Sequence, residues 1–313
     1  MDRANKPKTL PKLSSTPGLP PQPTVNFTDD NSRLRAELPT GESVEVLLYG
    51  ATVISWKDAT GDEKLWLSEA AKLDGSRAVF GTAPDHPQTK DLPQHGFART
   101  SRWEFLGKST SESMVGRAAD EPTVKLDFGL SSAAPGLDPK AAAHWPFKFN
   151  LIYSVTLNRE SLTTSIVATN DDGATPFDCQ VLMHTYLRVK KSPASPTRPT
   201  PTKSARRPLP PKPNPPPPST LTITGETDRV YTPTEDAVTV AENSQPRFRV
   251  TRDNLANVVV WNPWAAKAEA MADFAPDDGF RNMLCVEPGA VGGWQAVEAG
   301  DAFEGAQTIT LLH

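Results

Sequence analysis

The pattern of apolar and polar residues predicts strands along most of the chain. Ser32–Leu38 and the start of Ser43–Tyr49 alternate polar with apolar residues, and a period of two is typical of a strand with one buried face. Other short apolar runs lie between turn residues at 64–68, 124–128, 149–157, 162–168, 221–224, 237–240, 248–251, 257–261, 283–286 and 306–312. Helical periodicity is never sustained beyond about three turns. The sequence therefore predicts an all-β fold, and so many short strands favour a large sandwich.

One apolar run contains a histidine. Phe177–Val189 is predicted to be a strand, and within it apolar and β-prone residues surround His184. The register suggests that this strand is buried and carries a single polar group. His184 is then either a hydrogen-bonded core residue or half of a catalytic pair. The pattern alone leaves both interpretations open and slightly favours the first.

A second unusual residue is Glu287, a carboxylate at the end of the apolar strand 283–286, just before a Pro-Gly turn. Burying a carboxylate is costly unless it is paired or functional. A glutamate and a histidine that face one cleft can act as general base and general acid near neutral pH. The alternative interpretation is that Glu287 caps a turn.

Two segments are rich in proline and poor in apolar residues. Residues 1–23 are predicted to be a disordered tail, so that the domain covers residues 24–313. Residues 190–219 interrupt this domain with seven basic residues and no acidic one, and 12 of the 28 residues from 192 to 219 are proline. Proline cannot donate to a sheet ladder, so this low-complexity segment cannot be an interior strand. It is either a solvated linker or a ligand for proline-recognition domains.

Composition and charge exclude several classes of function. The net charge is −4 although both proline-rich segments are basic, so the rest of the chain is acidic, which disfavours nucleic-acid binding. Neither a membrane helix nor a secretory signal is predicted, so we expect a cytoplasmic protein without a membrane partner. Cys179 and Cys285 are expected to be free thiols. No metal-ligand spacing or cofactor motif is present, so we expect no metal and no cofactor.

Six motifs follow one another in a fixed order. They are YGATVISW at 49–56, LPQHGFAR at 92–99, HTY at 184–186, VWNPW at 260–264, MADF at 271–274 and CVEPG at 285–289. In this order, from about Val25 to the C-terminus, the chain resembles the hexose-6-phosphate mutarotases. These form the glucose-6-phosphate 1-epimerase branch of the aldose 1-epimerase family. The resemblance implies an antiparallel β-sandwich like that of galactose mutarotase.

The resemblance also implies an activity: metal-free interconversion of the α and β anomers of hexose 6-phosphates by an isomerase. We expect the protein to be a monomer. By resemblance, Glu287 is the general base for the anomeric hydroxyl, and His184 is the general acid for the ring oxygen. Arg99 would bind the 6-phosphate of the substrate. Gln94 and Asp228 match positions that contact the sugar.

The chain departs from the family pattern in two places. A short run with a second phosphate-binding arginine is missing after Leu73–Gly75, and Arg77 matches a residue before that run. The loss of one arginine of a desolvated pair costs about 2–5 kcal/mol of binding, so we expect an impaired phosphate site. The proline-rich segment also replaces strands that the family has. The alternative function is therefore a non-catalytic protein on the same fold, one that binds phosphosugars or interacts through its prolines.

Overall fold

The computed structural model describes residues 21–28, 30–74, 86–110, 122–190 and 220–313. Within these residues the chain forms sixteen strands and little helix. The strands are β1 (Thr24–Phe27), β2 (Arg33–Glu37), β3 (Ser43–Leu47), β4 (Thr52–Lys57), β5 (Glu104–Thr110), β6 (Val124–Ser131), β7 (Phe149–Leu157), β8 (Ser161–Asn170), β9 (Phe177–Leu182), β10 (Tyr186–Arg188), β11 (Thr227–Tyr231), β12 (Ala237–Glu242), β13 (Gln245–Asp253), β14 (Asn257–Asn262), β15 (Met283–Val297) and β16 (Ala302–Leu311). The helices are α1 (Pro139–His144), α2 (Trp264–Ala270) and a 3₁₀ helix, Asp277–Asn282.

The strands form three antiparallel sheets. A four-stranded sheet has the order β1-β2-β3-β4, and a seven-stranded sheet has the order β12-β13-β16-β8-β7-β6-β5. The third sheet has the order β10-β15-β14-β11, with β9 also paired to β15. This third sheet carries both His184, between β9 and β10, and Glu287, in β15.

Among the described residues, one large apolar cluster joins the three sheets, and a second, smaller cluster surrounds Cys285. Alternation along β8 buries every second residue, which is the pattern of a strand with one face against a core. Leu34, Phe128 and Leu187, each from a different sheet, are fully buried in the same cluster. Burying apolar area from three sheets in one cluster is the main favourable term in folding. The predicted all-β class and antiparallel sandwich are confirmed.

Several predicted strands differ from the observed ones. Phe177–Val189 is not one strand, because the chain leaves the ladder between β9 and β10. Residues 64–68 form only an isolated bridge, from Leu65 to Leu187, and 221–224 form no strand. The strand that begins at Met283 does not end before Pro288 but continues to Val297. The predicted Pro-Gly turn after Glu287 is therefore wrong.

Parts of the earlier predictions lie outside the described residues. These parts are residues 1–20 of the predicted tail, residues 191–219 of the proline-rich segment, and residues 75–85, which include Arg77. The domain boundaries at 24 and 313 stay predictions. Among the described residues, no helix has the length and apolar character to cross a membrane.

Candidate functional site

His184 lies at the apex of a tight turn between two strands. The backbone N–H of Thr185 donates to the carbonyl of Met183 at 2.9 Å, which closes a three-residue turn centred on the histidine. The N–H of Met183 donates to the carbonyl of Pro288 at 2.9 Å, so the turn is attached to β15. Met183 is buried, while 31% of the His184 side chain is exposed. The expectation of a buried strand histidine is therefore wrong.

Glu287 lies in the middle of a sheet. In β15 it pairs with Val259 of the neighbouring strand β14. Its side chain is only 2% exposed. Residues two apart on a strand share a face, so Glu287 and Cys285 project to the same side. The apolar neighbours Leu284 and Val286 project to the other side and pack into the main core.

The strand register brings further polar and aromatic residues to the face of Glu287. Tyr186 pairs with Cys285, Cys285 with Trp261, and Trp261 with Asp228. This row crosses β10, β15, β14 and β11 in turn. Residues that are separated by up to a hundred positions in the chain thus lie side by side. The face is a platform of one thiol and two aromatic rings, with a carboxylate at its edge.

The two predicted catalytic residues are in contact. The Nδ1 atom of His184 lies 3.3 Å from Oε1 of Glu287. The imidazole stacks on the ring of Tyr186, with ring centroids 4.8 Å apart and planes 10° apart. Stacking fixes the plane of the imidazole and hence the direction of both ring nitrogens. The geometry directs Nδ1 of His184 toward the carboxyl of Glu287.

The pKa of the Glu287 carboxyl is raised into the range of a base that works near neutral pH. Burial and, to a smaller extent, the negative charge of Asp228 raise the pKa of Glu287 to about 8, although a hydrogen bond from Cys285 acts in the opposite direction. Among the described residues, its buried Oε1 has no hydrogen-bond donor of good geometry. This oxygen can therefore accept a proton from a bound molecule.

The connection between β4 and β5 contains the predicted binding residues Gln94 and Arg99. The guanidinium Nη2 of Arg99 donates to the carbonyl oxygen of Gln94 at 3.3 Å. His95 lies between them, and its ring is 5.8 Å from that of His184 in an edge-to-face arrangement. This contact places the loop beside the His184–Glu287 pair. The structure thus brings His184 and Glu287 into contact and places Gln94 and Arg99 on the loop whose His95 contacts His184. Asp228 acts on Glu287 through its charge.

The loop is held by buried hydrogen bonds. Ser101 is fully buried, and its hydroxyl donates to the carbonyl of Phe97 at 2.9 Å. The indole Nε1 of Trp103 donates to the carbonyl of Ala98 at 2.8 Å. Gly50, at φ +69°, donates its N–H to the carbonyl of Ser101 at 2.8 Å. These contacts fix the backbone on both sides of Arg99.

His95 is a site residue that sequence reasoning did not select. Its backbone has φ +66°, an uncommon conformation for a residue other than glycine. Although the residue keeps solvent exposure, desolvation and the positive charge of Arg99 lower the pKa of its imidazole to about 4. His95 is therefore neutral near pH 7. A neutral imidazole can both donate and accept a hydrogen bond to a hydroxyl-rich ligand.

Cys285 is the second residue that was missed. It is fully buried, and its thiol donates a hydrogen bond to Glu287. Burial and the nearby carboxylate raise the pKa of this thiol well above its ordinary value. Both cysteines are free, as predicted. The period-two spacing from Glu287 along the predicted strand was the available signal.

A comparison with protein families identifies the fold and the broad chemistry. The family model described as aldose 1-epimerase matches residues 33–310 of this chain. The chain belongs to the aldose 1-epimerase family. Members of this family are isomerases that interconvert sugar anomers, and a sugar is the substrate. The resemblance read from the six motifs is confirmed at this level.

Individual relatives agree with the family assignment. A protein from Cenchrus ciliaris named "Putative glucose-6-phosphate 1-epimerase" is 31% identical over 277 residues, which cover 86% of this chain and 81% of the relative. A protein of the same name from Escherichia coli (strain K12) is 28% identical over 271 residues, covering 84% and 85%. These names describe those proteins. They bear on this aldose 1-epimerase family member only as support for a proposal.

Solved structures share the fold. A crystal structure titled as a "putative mutarotase" from Salmonella typhimurium superposes with a TM-score of 0.67 at 23% identity, covering 94% of this chain and 96% of that one. A protein from Synechocystis sp. PCC 6803 superposes with a TM-score of 0.58 at 18% identity, covering 96% and 99%. This aldose 1-epimerase family member therefore shares the β-sandwich fold of both solved structures.

Proposed function

We propose that this protein interconverts the α and β anomers of a hexose 6-phosphate, with Glu287 as general base and His184 as general acid. The contact between Nδ1 of His184 and the buried Oε1 of Glu287, at 3.3 Å, is the observation that carries the proposal. Two proton-transfer groups in contact at a cleft are the minimum set for opening a sugar ring.

The reaction balances its protons without a cofactor. The Glu287 carboxylate takes the proton of the anomeric hydroxyl while protonated His184 gives a proton to the ring oxygen. The bond between C1 and the ring oxygen breaks, and the open-chain aldehyde forms. After rotation about C1–C2, the ring closes with the two transfers reversed. Because both protons move together, no free alkoxide has to form in the site.

Other residues of the site bind and orient the sugar in this proposal. Arg99 would bind the phosphate through charge-assisted hydrogen bonds. Neutral His95, Gln94 and Asp228 would bind sugar hydroxyls. The aromatic rings of Tyr186 and Trp261, whose centroids are 6.0 Å apart, offer apolar contact to the C–H face of a pyranose.

The test is the anomerisation of freshly dissolved α-glucose 6-phosphate, followed by polarimetry. The wild-type protein should shorten the relaxation relative to buffer. Glu287→Gln removes the base at constant size and should lower kcat by about 10²–10⁴-fold. Glu298→Gln is a matched control, because Glu298 is exposed at the end of β15 and should have no effect on the rate.

The alternative function predicts a different result. If wild type and Glu287→Gln both relax the sugar at the rate of buffer, the enzyme proposal fails. Calorimetric binding of glucose 6-phosphate without turnover would then favour a non-catalytic phosphosugar-binding protein.

We also propose that the protein is monomeric and that residues 190–219 are accessory to the mutarotase domain. Their proline and basic content suits either a linker or a ligand of proline-recognition domains. A pull-down with the full chain, and with residues 191–219 replaced by a Gly-Ser linker of equal length, decides between these roles. Equal recovery of partners by both proteins would contradict the ligand role.

A further inference from the structure

The proposed catalytic pair, His184 and Glu287, lies beside the thiol of Cys285. His184, Cys285 and Glu287 each present one ligand atom, and all three atoms lie within 4.8 Å of one another. Cys285 and Glu287 are buried, while His184 is exposed to solvent. Nitrogen, sulfur and carboxylate oxygen are the donors that zinc prefers in proteins.

The spacing of these donors is close to that of a tetrahedral site. With metal–ligand bonds of about 2.0–2.3 Å, two first-shell donors lie about 3.3–3.6 Å apart. The Nδ1 atom of His184 and Oε1 of Glu287 are already 3.3 Å apart, and the thiol of Cys285 hydrogen-bonds the same carboxyl. A cation therefore needs donor movements of about 1 Å, and a water molecule would be its fourth ligand.

A second observation indicates that these three residues can receive a cation. Oε1 of Glu287 is a buried acceptor with no hydrogen-bond donor of good geometry among the described residues. A buried acceptor without a donor is stabilised more by a bound cation than an exposed acceptor is. The negative charge of Asp228, which acts on Glu287, adds to the attraction for a cation.

We propose that His184, Cys285 and Glu287 form a three-ligand site for a thiophilic divalent cation such as Zn²⁺, and that an ion bound there blocks the cleft. Binding replaces the thiol proton of Cys285, which passes to the buffer, by a metal–sulfur bond. The cation is an inhibitor and no part of the reaction, because it occupies the same lone pairs that the proposed proton transfers use. Hard cations such as Mg²⁺, which prefer oxygen ligands, should not compete.

The test is a titration of the full-length, chelator-treated protein with Co²⁺, a spectroscopic substitute for Zn²⁺. A near-ultraviolet charge-transfer band between thiolate and cobalt should grow to a stoichiometry of one ion per chain. Added Zn²⁺ should displace it, and Mg²⁺ in large excess should not. Because this readout needs no catalysis, it is independent of the proposed function.

Three variants make the test specific. Cys285→Ser should abolish the band, and Cys179→Ser, which removes the other free cysteine, should retain it. His184→Ala replaces an exposed side chain, should leave the fold intact and should weaken Co²⁺ binding at least about tenfold, because even the loss of a residue that only hydrogen-bonds a metal ligand costs about 10- to 100-fold in affinity. A wild-type protein without the band, or a band that persists in Cys285→Ser, would overturn the proposal.

The inhibitory part of this inference rests on the proposed function. In the polarimetric assay, Zn²⁺ should raise KM for glucose 6-phosphate without lowering kcat, for wild type and for Cys179→Ser alike. Inhibition that leaves KM unchanged would show that the ion binds outside the cleft. If the protein has no mutarotase activity, the cobalt band still decides whether the metal site exists.

Discussion

Glu287 shows how a single residue can be costly to the fold and useful to the site. A carboxylate buried in a sheet loses most of its hydration, and burial together with Asp228 raises its pKa. A base must be ionised to accept a proton, yet a stronger base accepts it more readily. A pKa near the working pH balances the two requirements. Desolvated carboxyl groups beside a histidine are typical of functional sites.

The first prediction concerns the pH dependence of the activity. Because the proposed base works only when ionised, kcat/KM for glucose 6-phosphate should rise with pH, with a midpoint near 8 in chelator-treated enzyme. The negative charge of Asp228 raises this pKa, so Asp228→Asn should move the rising limb to lower pH. Initial rates at low substrate concentration, measured between roughly pH 5.5 and 9.5, give the rising limb of kcat/KM for the wild type and for Asp228→Asn.

A role for Asp228 in sugar binding alone would give a different pH dependence. If Asp228→Asn lowers kcat/KM by the same factor at every pH, then Asp228 acts through sugar binding alone. A limb that stays at the wild-type position would contradict the electrostatic effect on Glu287.

The second prediction concerns Arg99 and the phosphate. Removing a charge-assisted hydrogen-bond donor costs about 1.5–3 kcal/mol, so Arg99→Ala should raise KM for glucose 6-phosphate roughly 10- to 100-fold. The KM for unphosphorylated glucose should change little. Arg102→Ala is the matched control, since Arg102 is an exposed arginine that donates to the carbonyl of Asn31. Equal losses for both sugars would exclude a phosphate role for Arg99.

At the residue scale, the sequence was informative where a residue was out of place in its pattern. His184 and Glu287 stood out as polar groups within apolar runs, and the structure places them in contact. His95 and Cys285 did not stand out, because a histidine in a polar loop and a cysteine in an apolar strand are both ordinary. The proximity of His95 to His184 depends on how the loop folds against the sheet, which local pattern does not contain. Cys285 shares a face with Glu287 through period-two spacing on one strand, but nothing in the pattern marks it as part of a site.

At the scale of elements, the site depends on one turn and one loop. The turn at His184 breaks what would otherwise be a continuous strand, and the break lifts the imidazole out of the core. The loop of Arg99 is anchored to the start of β4 through Gly50, whose φ of +69° favours glycine. A Cβ atom at this position would lie 2.6 Å from the carbonyl oxygen of Arg99.

The third prediction tests this anchor. Gly50→Ala should destabilise the protein by about 1–3 kcal/mol, because the left-handed backbone is strained for alanine. It should also raise KM for glucose 6-phosphate, since the new methyl group displaces the backbone of Arg99. Gly61→Ala is the matched control: Gly61 has φ +86°, and a Cβ there meets nothing within 4 Å. Urea unfolding and steady-state kinetics measure the two effects.

The control separates strain from displacement. Gly61→Ala should lose stability and keep the wild-type KM. If both variants raise KM equally, or if neither does, the contact between Gly50 and the Arg99 loop does not position the phosphate ligand.

Strand prediction succeeded for β7, β8 and β14, and it failed for the length of β15. β7 was predicted with its observed bounds, and β8 within two residues, because alternation marks both. β15 was predicted too short, since Pro288 and the glycines after it read as a turn. In the sheet, the carbonyl of Pro288 still accepts from Met183, and proline needs no partner for the N–H that it lacks.

At the scale of the whole molecule, the apolar core offsets the free-energy cost of burying the Glu287 carboxylate. The apolar core continues through three sheets, and the class of fold followed from the sequence because local alternation and global burial agree. The order of strands within each sheet did not follow from the sequence, because pairings such as β16 with β8 join distant segments of the chain. Stability gained in the core offsets the cost of the buried carboxylate, as is common at functional sites.

The last prediction measures that cost. The pKa of Glu287 is raised from 4.5 to about 8 in the folded protein, so the folded state binds more protons than the unfolded state between these values. The free energy of unfolding contributed by this group therefore falls as pH rises through this window and is lowest above it. Glu287→Gln removes the titration, and its stability relative to wild type should increase by about 2–4 kcal/mol between pH 5 and pH 8.5. Urea unfolding of both proteins at the two pH values, with chelator present, measures this difference while the other titrating groups cancel. A difference that is independent of pH, or that favours the wild type at pH 8.5, would show that Glu287 is as well solvated in the fold as in the unfolded chain.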